Sequence, residues 1–202
     1  MKKLFVSALV GFGALYIASS ASAVIVFEFG TVIAGAPQGG PLFARLTMEN
    51  AGTDTVTLTL ENTATLPAAS GQAIKTLLLN VDPYVSGTIT SGSSKFTSYG
   101  FSENGKNDSG GKFDLKIDFD TAQTNRFLPG DTVVMTATGS GLTENSFDAF
   151  SGGTQQWQGM IHLISVPPNQ DSAKITTPIP EPASIVALGL GAVALLRRRK
   201  RK

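Results

Sequence analysis

Thr55-Val56-Thr57-Leu58-Thr59-Leu60 alternates without a break between a hydroxyl-bearing and an aliphatic residue. Successive side chains of a strand point to opposite faces, so Val56, Leu58 and Leu60 share one face, and Thr53, Thr55, Thr57 and Thr59 the other. One apolar and one hydroxyl-rich face describe a half-exposed antiparallel strand. Outward from this run the same grammar recurs. Val24 to Phe29 is apolar and β-branched, and Phe43 to Met48 follows a loop punctuated by Gly and Pro. Ile74 to Val81 is apolar almost throughout and predicts a central strand covered on both faces. Thr88 to Thr90 and Phe96 to Tyr99 are short strands in a segment, Ser86 to Gly111, that is dense in turn formers. In Phe113-Asp114-Leu115-Lys116-Ile117-Asp118-Phe119-Asp120 the apolar residues are assigned inward and Asp114, Asp118 and Asp120 outward. Pro129-Gly130 turns into a strand over Asp131 to Thr138, a short helix is expected around Glu144 to Phe150, and Trp157 to Ser165 forms the last strand. No window longer than about ten residues in this region sustains a 3.6-residue period. Many short strands without helical crossovers predict an all-β domain, an antiparallel β-sandwich of jelly-roll-like type.

The two ends read differently. Met1-Lys2-Lys3 is a cationic start, Leu4 to Ile17 is apolar, and Ala21-Ser22-Ala23 places small residues at Ala21 and Ala23. Together these form a signal peptide cleaved before Val24. At the other end Pro178, Pro180 and Pro182 hold the chain extended. Ala183 and Ser184 follow, then an uncharged run from Ile185 through Leu188, Leu190, Val193 and Leu195 to Leu196, and the cations Arg197, Arg198, Arg199, Lys200, Arg201 and Lys202. As a helix, Ala183 to Leu196 would span about 21 Å, short of the roughly 30 Å hydrocarbon core. It is therefore expected to be a marginal transmembrane helix with its cations on the cytoplasmic side, helped by snorkelling and local thinning of the bilayer.

Cysteine is absent, which excludes disulfides, thiolate metal sites and cysteine nucleophiles. Residues 24–180 hold eight Lys or Arg against fourteen Asp or Glu, a net charge of −6. An acidic domain without a basic stripe argues against nucleic-acid binding.

The triplet Pro180-Glu181-Pro182, the following Ala183-Ser184, the apolar run and the basic tail resemble the PEP-CTERM sorting signal of Gram-negative bacteria. The resemblance implies processing near Pro180 to Ser184 by exosortase, a membrane transpeptidase-like enzyme. It also implies a transient stay in the inner membrane facing the periplasm, then the cell surface or extracellular matrix, commonly in connection with exopolysaccharide and biofilm. It divides the chain into a signal peptide (1–23), a β-sandwich domain (24–166), a linker (167–179) and the sorting signal (180–202). Thr55 to Leu60, Leu79-Asn80-Val81-Asp82-Pro83, Arg126 to Asp131 and Met160-Ile161-His162 are similar, in that order, to a group of PEP-CTERM exported proteins of unassigned activity, which brings no catalytic residues.

Candidate chemistry within the domain is sparse. Asp108 and Asp114 follow a turn-forming run and are weak Ca²⁺ candidates, because Lys106 and Lys112 intrude and no EF-hand pattern is present. Asp118 and Asp120, two apart on one strand, have roughly the spacing of a glycosidase carboxylate pair. His162, the only histidine, has no G-x-S-x-G partner and reads as an outward or hydrogen-bonded strand residue. Trp157, Tyr84 and Tyr99 are the rings that could stack on a sugar, although strand-edge packing is the preferred reading of Trp157. The expectation is a non-enzymatic structural or adhesive protein without cofactors, the alternative a carbohydrate-binding module that recognises exopolysaccharide through those rings.

Overall fold

The computed structural model describes residues 24–178. The signal peptide, the processing motif from Pro180, the membrane run and the basic tail lie outside the described residues. Twelve strands follow in chain order: β1 (Val24–Phe29), β2 (Thr31–Ala34), β3 (Ala44–Gly52), β4 (Thr55–Asn62), β5 (Ala73–Leu79), β6 (Thr88–Thr90), β7 (Phe96–Asp108), β8 (Gly111–Phe119), β9 (Thr132–Thr138), β10 (Gly152–Gly153), β11 (Gly159–Val166) and β12 (Asp171–Thr176). Among the described residues all strand pairings are antiparallel, and helix is limited to two 3-10 turns, at Ala68–Ser70 and Glu144–Phe147.

The alternating run becomes β4, in which Val56, Leu58 and Leu60 are fully buried while the intervening threonines are half-buried. It is paired on both edges, Leu58 lying opposite Met48 of β3 and Met135 of β9. β1 and β6 complete a five-stranded sheet ordered β1-β3-β4-β9-β6. The second sheet runs β10-β8-β5-β11-β12-β2, with β7 on the other edge of β8. Inward side chains from both sheets, including Phe29, Leu46, Leu58, Leu77, Ile117, Ile161 and Ile175, belong to one buried cluster, so the arrangement is sandwich-like. Each such side chain contributes about 1.5–3 kcal/mol by leaving water. The five-plus-seven strand count exceeds the eight strands of a simple jelly roll.

The segment expected to be a linker, 167–179, is not one over most of its length. Asp171–Thr176 forms β12, pairs with β11 and β2, and buries Ala173 and Ile175. Prolines 167 and 168 mark a turn into a further strand rather than an exit from the domain. Among the described residues no helix is long and apolar enough to cross a membrane.

β5 is covered on both faces, and the cover on the outer face comes from an unexpected source. Between the pairs Phe101–Leu115 and Lys106–Phe113, β7 advances five residues while β8 advances two, a bulge that bends the hairpin. Its tip, Ser109-Gly110, has positive φ at both positions (47° and 86°), as a tight two-residue hairpin requires. Asp108, next to the tip, forms an ion pair with Lys174 of β12. Because β12 lies three strands from β8, about 14 Å at normal spacing, the hairpin end must arch over the outer face to reach it. Gly110 O accepts hydrogen bonds from Thr154 N (3.0 Å) and Gln155 N (3.2 Å), which joins the arch to the loop before β11. Leu78, Phe113, Trp157 and Met160 form a second, smaller buried cluster.

Candidate functional site

The aromatic platform anticipated for a sugar does not assemble around Trp157. That ring is 5% exposed and packs in the smaller cluster with Leu78, Phe113 and Met160. Its backbone is held as firmly: Ser151 Oγ accepts from Trp157 N (3.0 Å), while Trp157 O accepts from Ser151 N (2.8 Å) and from Asn80 Nδ2 (2.9 Å). Tyr84 is half-buried between β5 and β6. Tyr99 remains 38% exposed on β7, its ring centroid 6.4 Å from Phe96 and 6.1 Å from Phe101.

The acidic candidates are also dispersed. Asp114, expected on the outward face, is buried, accepting hydrogen bonds from Val81 N (3.0 Å) and Asn104 N (2.6 Å). The reason is local. Phe113 packs in the smaller cluster whereas Leu115, Ile117 and Phe119 enter the main core, so the alternation breaks beside Asp114. Asp108 is occupied by Lys174 and by the Ser109 hydroxyl. The two Ca²⁺ candidates thus have separate protein partners, and among the described residues no group of three or more His, Asp or Glu could hold a metal ion. Asp118 accepts from Thr76 Oγ1 (2.9 Å) and pairs with Lys116 (2.8 Å). Asp120 lies beyond the end of β8, half-buried, and its pKa is lowered chiefly by the hydrogen bond from Ala122 N. Asp118 and Asp120 therefore sit in unlike settings, one on the sheet and one in a turn.

Strand register assembles a different group under the arch. His162 on β11 lies opposite Lys174 of β12 and Thr76 of β5, and Thr76 lies opposite Asp118 of β8, giving a polar row across four strands. Between His162 and Leu163 the register with β5 slips, so that Thr76 and Ile74 are paired and Lys75 is the extra residue. This bulge leaves Lys75 beside the row. A depression of about 350 Å³ is lined there by Lys75, Thr76, His162 and Lys116 from the sheet and by Lys106 and Asp108 from the arch. Lys116 and Lys174 have carboxylate partners; Lys75 and Lys106 have no ion-pair partner among the described residues. His162 is on the outer face as expected, but its Nε2 is buried without a hydrogen-bond partner. Burial lowers its pKa most, and Lys75, Lys174 and Lys116 lower it further against the opposing effect of Asp108. The imidazole is therefore neutral at neutral pH in a cationic surrounding. The four lysines are 31 to 99 residues apart in the chain, except Lys106 and Lys116, and only strand register and the arch reveal their grouping.

An all-β, antiparallel, sandwich-like domain with a lysine-rich depression is the class the geometry defines. Residues 178–201 match the PEP-CTERM protein-sorting motif. The chain thus carries the sorting signal of an exosortase substrate, and the motif marks an exported protein. No curated protein matches the sequence. Among solved structures the chain is similar, at TM-score 0.32 and 12% identity over 80% of its length and 100% of the other chain, to biomass-sensing modules from Rsgi-like proteins of Clostridium thermocellum, described as resembling the family 3 carbohydrate-binding module of the cellulosome. A likeness that slight carries no argument about fold or ligand.

Proposed function

We propose that the domain is a non-enzymatic structural or adhesive unit of the cell surface or extracellular matrix, delivered there by its sorting signal. The observation that carries this reading is the placement of the signal. The matched motif begins at residue 178, and β12 ends at Thr176. Processing near Pro180 to Ser184 then releases the whole sandwich with only a short extension. Before processing, the apolar run from Ile185 holds the protein in the inner membrane with its six cations on the cytoplasmic side. Eight residues separate Thr176 from Ile185, and fully extended they reach about 26–29 Å, so the body waits close to the periplasmic surface. A non-catalytic role is supported by the carboxylates themselves: Asp114 is committed to two backbone amides and Asp118 to Thr76 and Lys116.

Replacing Pro180, Glu181 and Pro182 with alanine tests the delivery step by cell fractionation. The wild-type protein is expected in the surface or medium fraction and the triple variant in the inner membrane. Equal release of both would refute the role of the triplet. Turnover of extracted exopolysaccharide that disappears in Asp118→Asn would overturn the non-enzymatic part.

A further inference from the structure

The depression beneath the β7–β8 arch joins three features that ordinary packing does not require. Three of the eight Lys or Arg in an acidic domain, Lys75, Lys106 and Lys116, line one depression, and Lys174 lies next to it opposite His162; among the described residues Lys116 and Lys174 have carboxylate partners and Lys75 and Lys106 have none. A bulge leaves Lys75 out of register beside the row, the kind of local irregularity that re-aims a side chain at a site. The third is the buried, unpartnered Nε2 of His162. Ammonium groups brought together without matching carboxylates repel one another, and an anion seated among them relieves that repulsion. The Lys106 side chain passes over Gly100 of β7, which is paired with Lys116 of β8; a Cβ there would make an ordinary 3.4 Å contact with Lys106 Nζ.

From this geometry we infer that the depression binds an oxyanionic group, the carboxylate of a sugar acid or a phosphate ester, with the ammonium groups of Lys75 and Lys106 as its principal partners. Lys116, tied to Asp118, lines the wall, and Lys174 holds Asp108 of the roof. A volume of about 350 Å³ is at the small end of the roughly 300–1,000 Å³ range of ligand pockets, which suits one charged monosaccharide unit or a phosphate group. The arch makes the site conditional, because loss of the Asp108–Lys174 pair would free the roof. The inference does not depend on the sorting signal and stands or falls separately from it.

His162, the sole histidine, is its own reporter. The full chain, labelled at histidine, is titrated with inorganic phosphate, with glucuronate and with glucose at constant ionic strength, while the imidazole resonances are followed by NMR. A saturable shift with phosphate or glucuronate and none with glucose is expected, and the anion that binds more tightly identifies the source of the group. Lys75→Gln and Lys106→Gln should each weaken binding by about tenfold, the loss of one charge-assisted hydrogen bond. Lys112→Gln, exposed on the hairpin outside the depression, should leave affinity unchanged. Unfolding temperatures measured alongside separate a lost contact from a lost fold. No saturable shift with either anion, an equal response to glucose, or folded Lys75→Gln and Lys106→Gln proteins that bind like wild type would each overturn the proposal.

Discussion

The Asp114 carboxylate accepts hydrogen bonds from the backbone amides of Val81 and Asn104 and so ties the β7–β8 hairpin to the segment that follows β5. A buried donor deprived of its acceptor costs about 1–3 kcal/mol, so Asp114→Ala is expected to lower the unfolding free energy by about 2–4 kcal/mol in urea denaturation, and Asp114→Asn, which retains one acceptor, by less. Wild-type stability in Asp114→Ala would contradict this role. Trp157→Ala should cost about 3–5 kcal/mol, as for other buried aromatic truncations, which makes the variant a probe of stability rather than of sugar stacking. His162 supplies a pH dependence. Its folded-state pKa lies below the ordinary value of 6.5, first through burial and then through Lys75, Lys174 and Lys116, with Asp108 opposing. The unfolded chain therefore takes up the proton more readily. The contribution to stability is complete above about pH 6.5 and is lost as pH falls below it. Denaturation midpoints between pH 8 and 5 should show this decline, and His162→Gln should flatten it.

At the scale of elements, the β7–β8 arch is fastened at its end by Asp108 and Lys174, whose side chains are 22% and 28% exposed. Partly exposed pairs contribute about 1 kcal/mol or less, so Lys174→Met should barely change global stability while speeding hydrogen exchange of the amides between residues 102 and 108. Unchanged exchange there would mean that the pair does not hold the arch. The arch also marks how far a single sequence can be followed. Period-two alternation located β4 and β8 closely, and apolar composition or flanking turn residues located β1, β6 and β9, because each shows one face to the core. It missed β12, whose Asp171-Ser172-Ala173-Lys174 opening is polar and becomes a strand through partners on both edges, β11 and β2. The inward turn of Asp114 escaped as well, because a bulge is invisible to a periodicity. The ring of Trp157 packs with Leu78, Phe113 and Met160, neighbours that only strand register brings together, and Asn80 Nδ2 donates to Trp157 O and Gln158 O. The lysine-rich depression depends on the register of four strands and had no local signature.

For the molecule as a whole, the sandwich and the sorting motif meet with almost no spacer, since β12 ends at Thr176 and the motif begins at 178. The formal charge of +1 for the chain conceals two unlike parts, a domain of net −6 between residues 24 and 180 and a tail ending in six cations. Removal of the tail would leave the acidic part alone. The decisive measurement is the intact mass of the protein recovered from cells that possess the exosortase and from cells that lack it. With the enzyme, the mass should correspond to a chain without residues 1–23 and without at least Ile185 to Lys202, together with any group joined at the new end; without the enzyme, Ile185 to Lys202 should still be present. Retention of Ile185 to Lys202 in both would contradict the account.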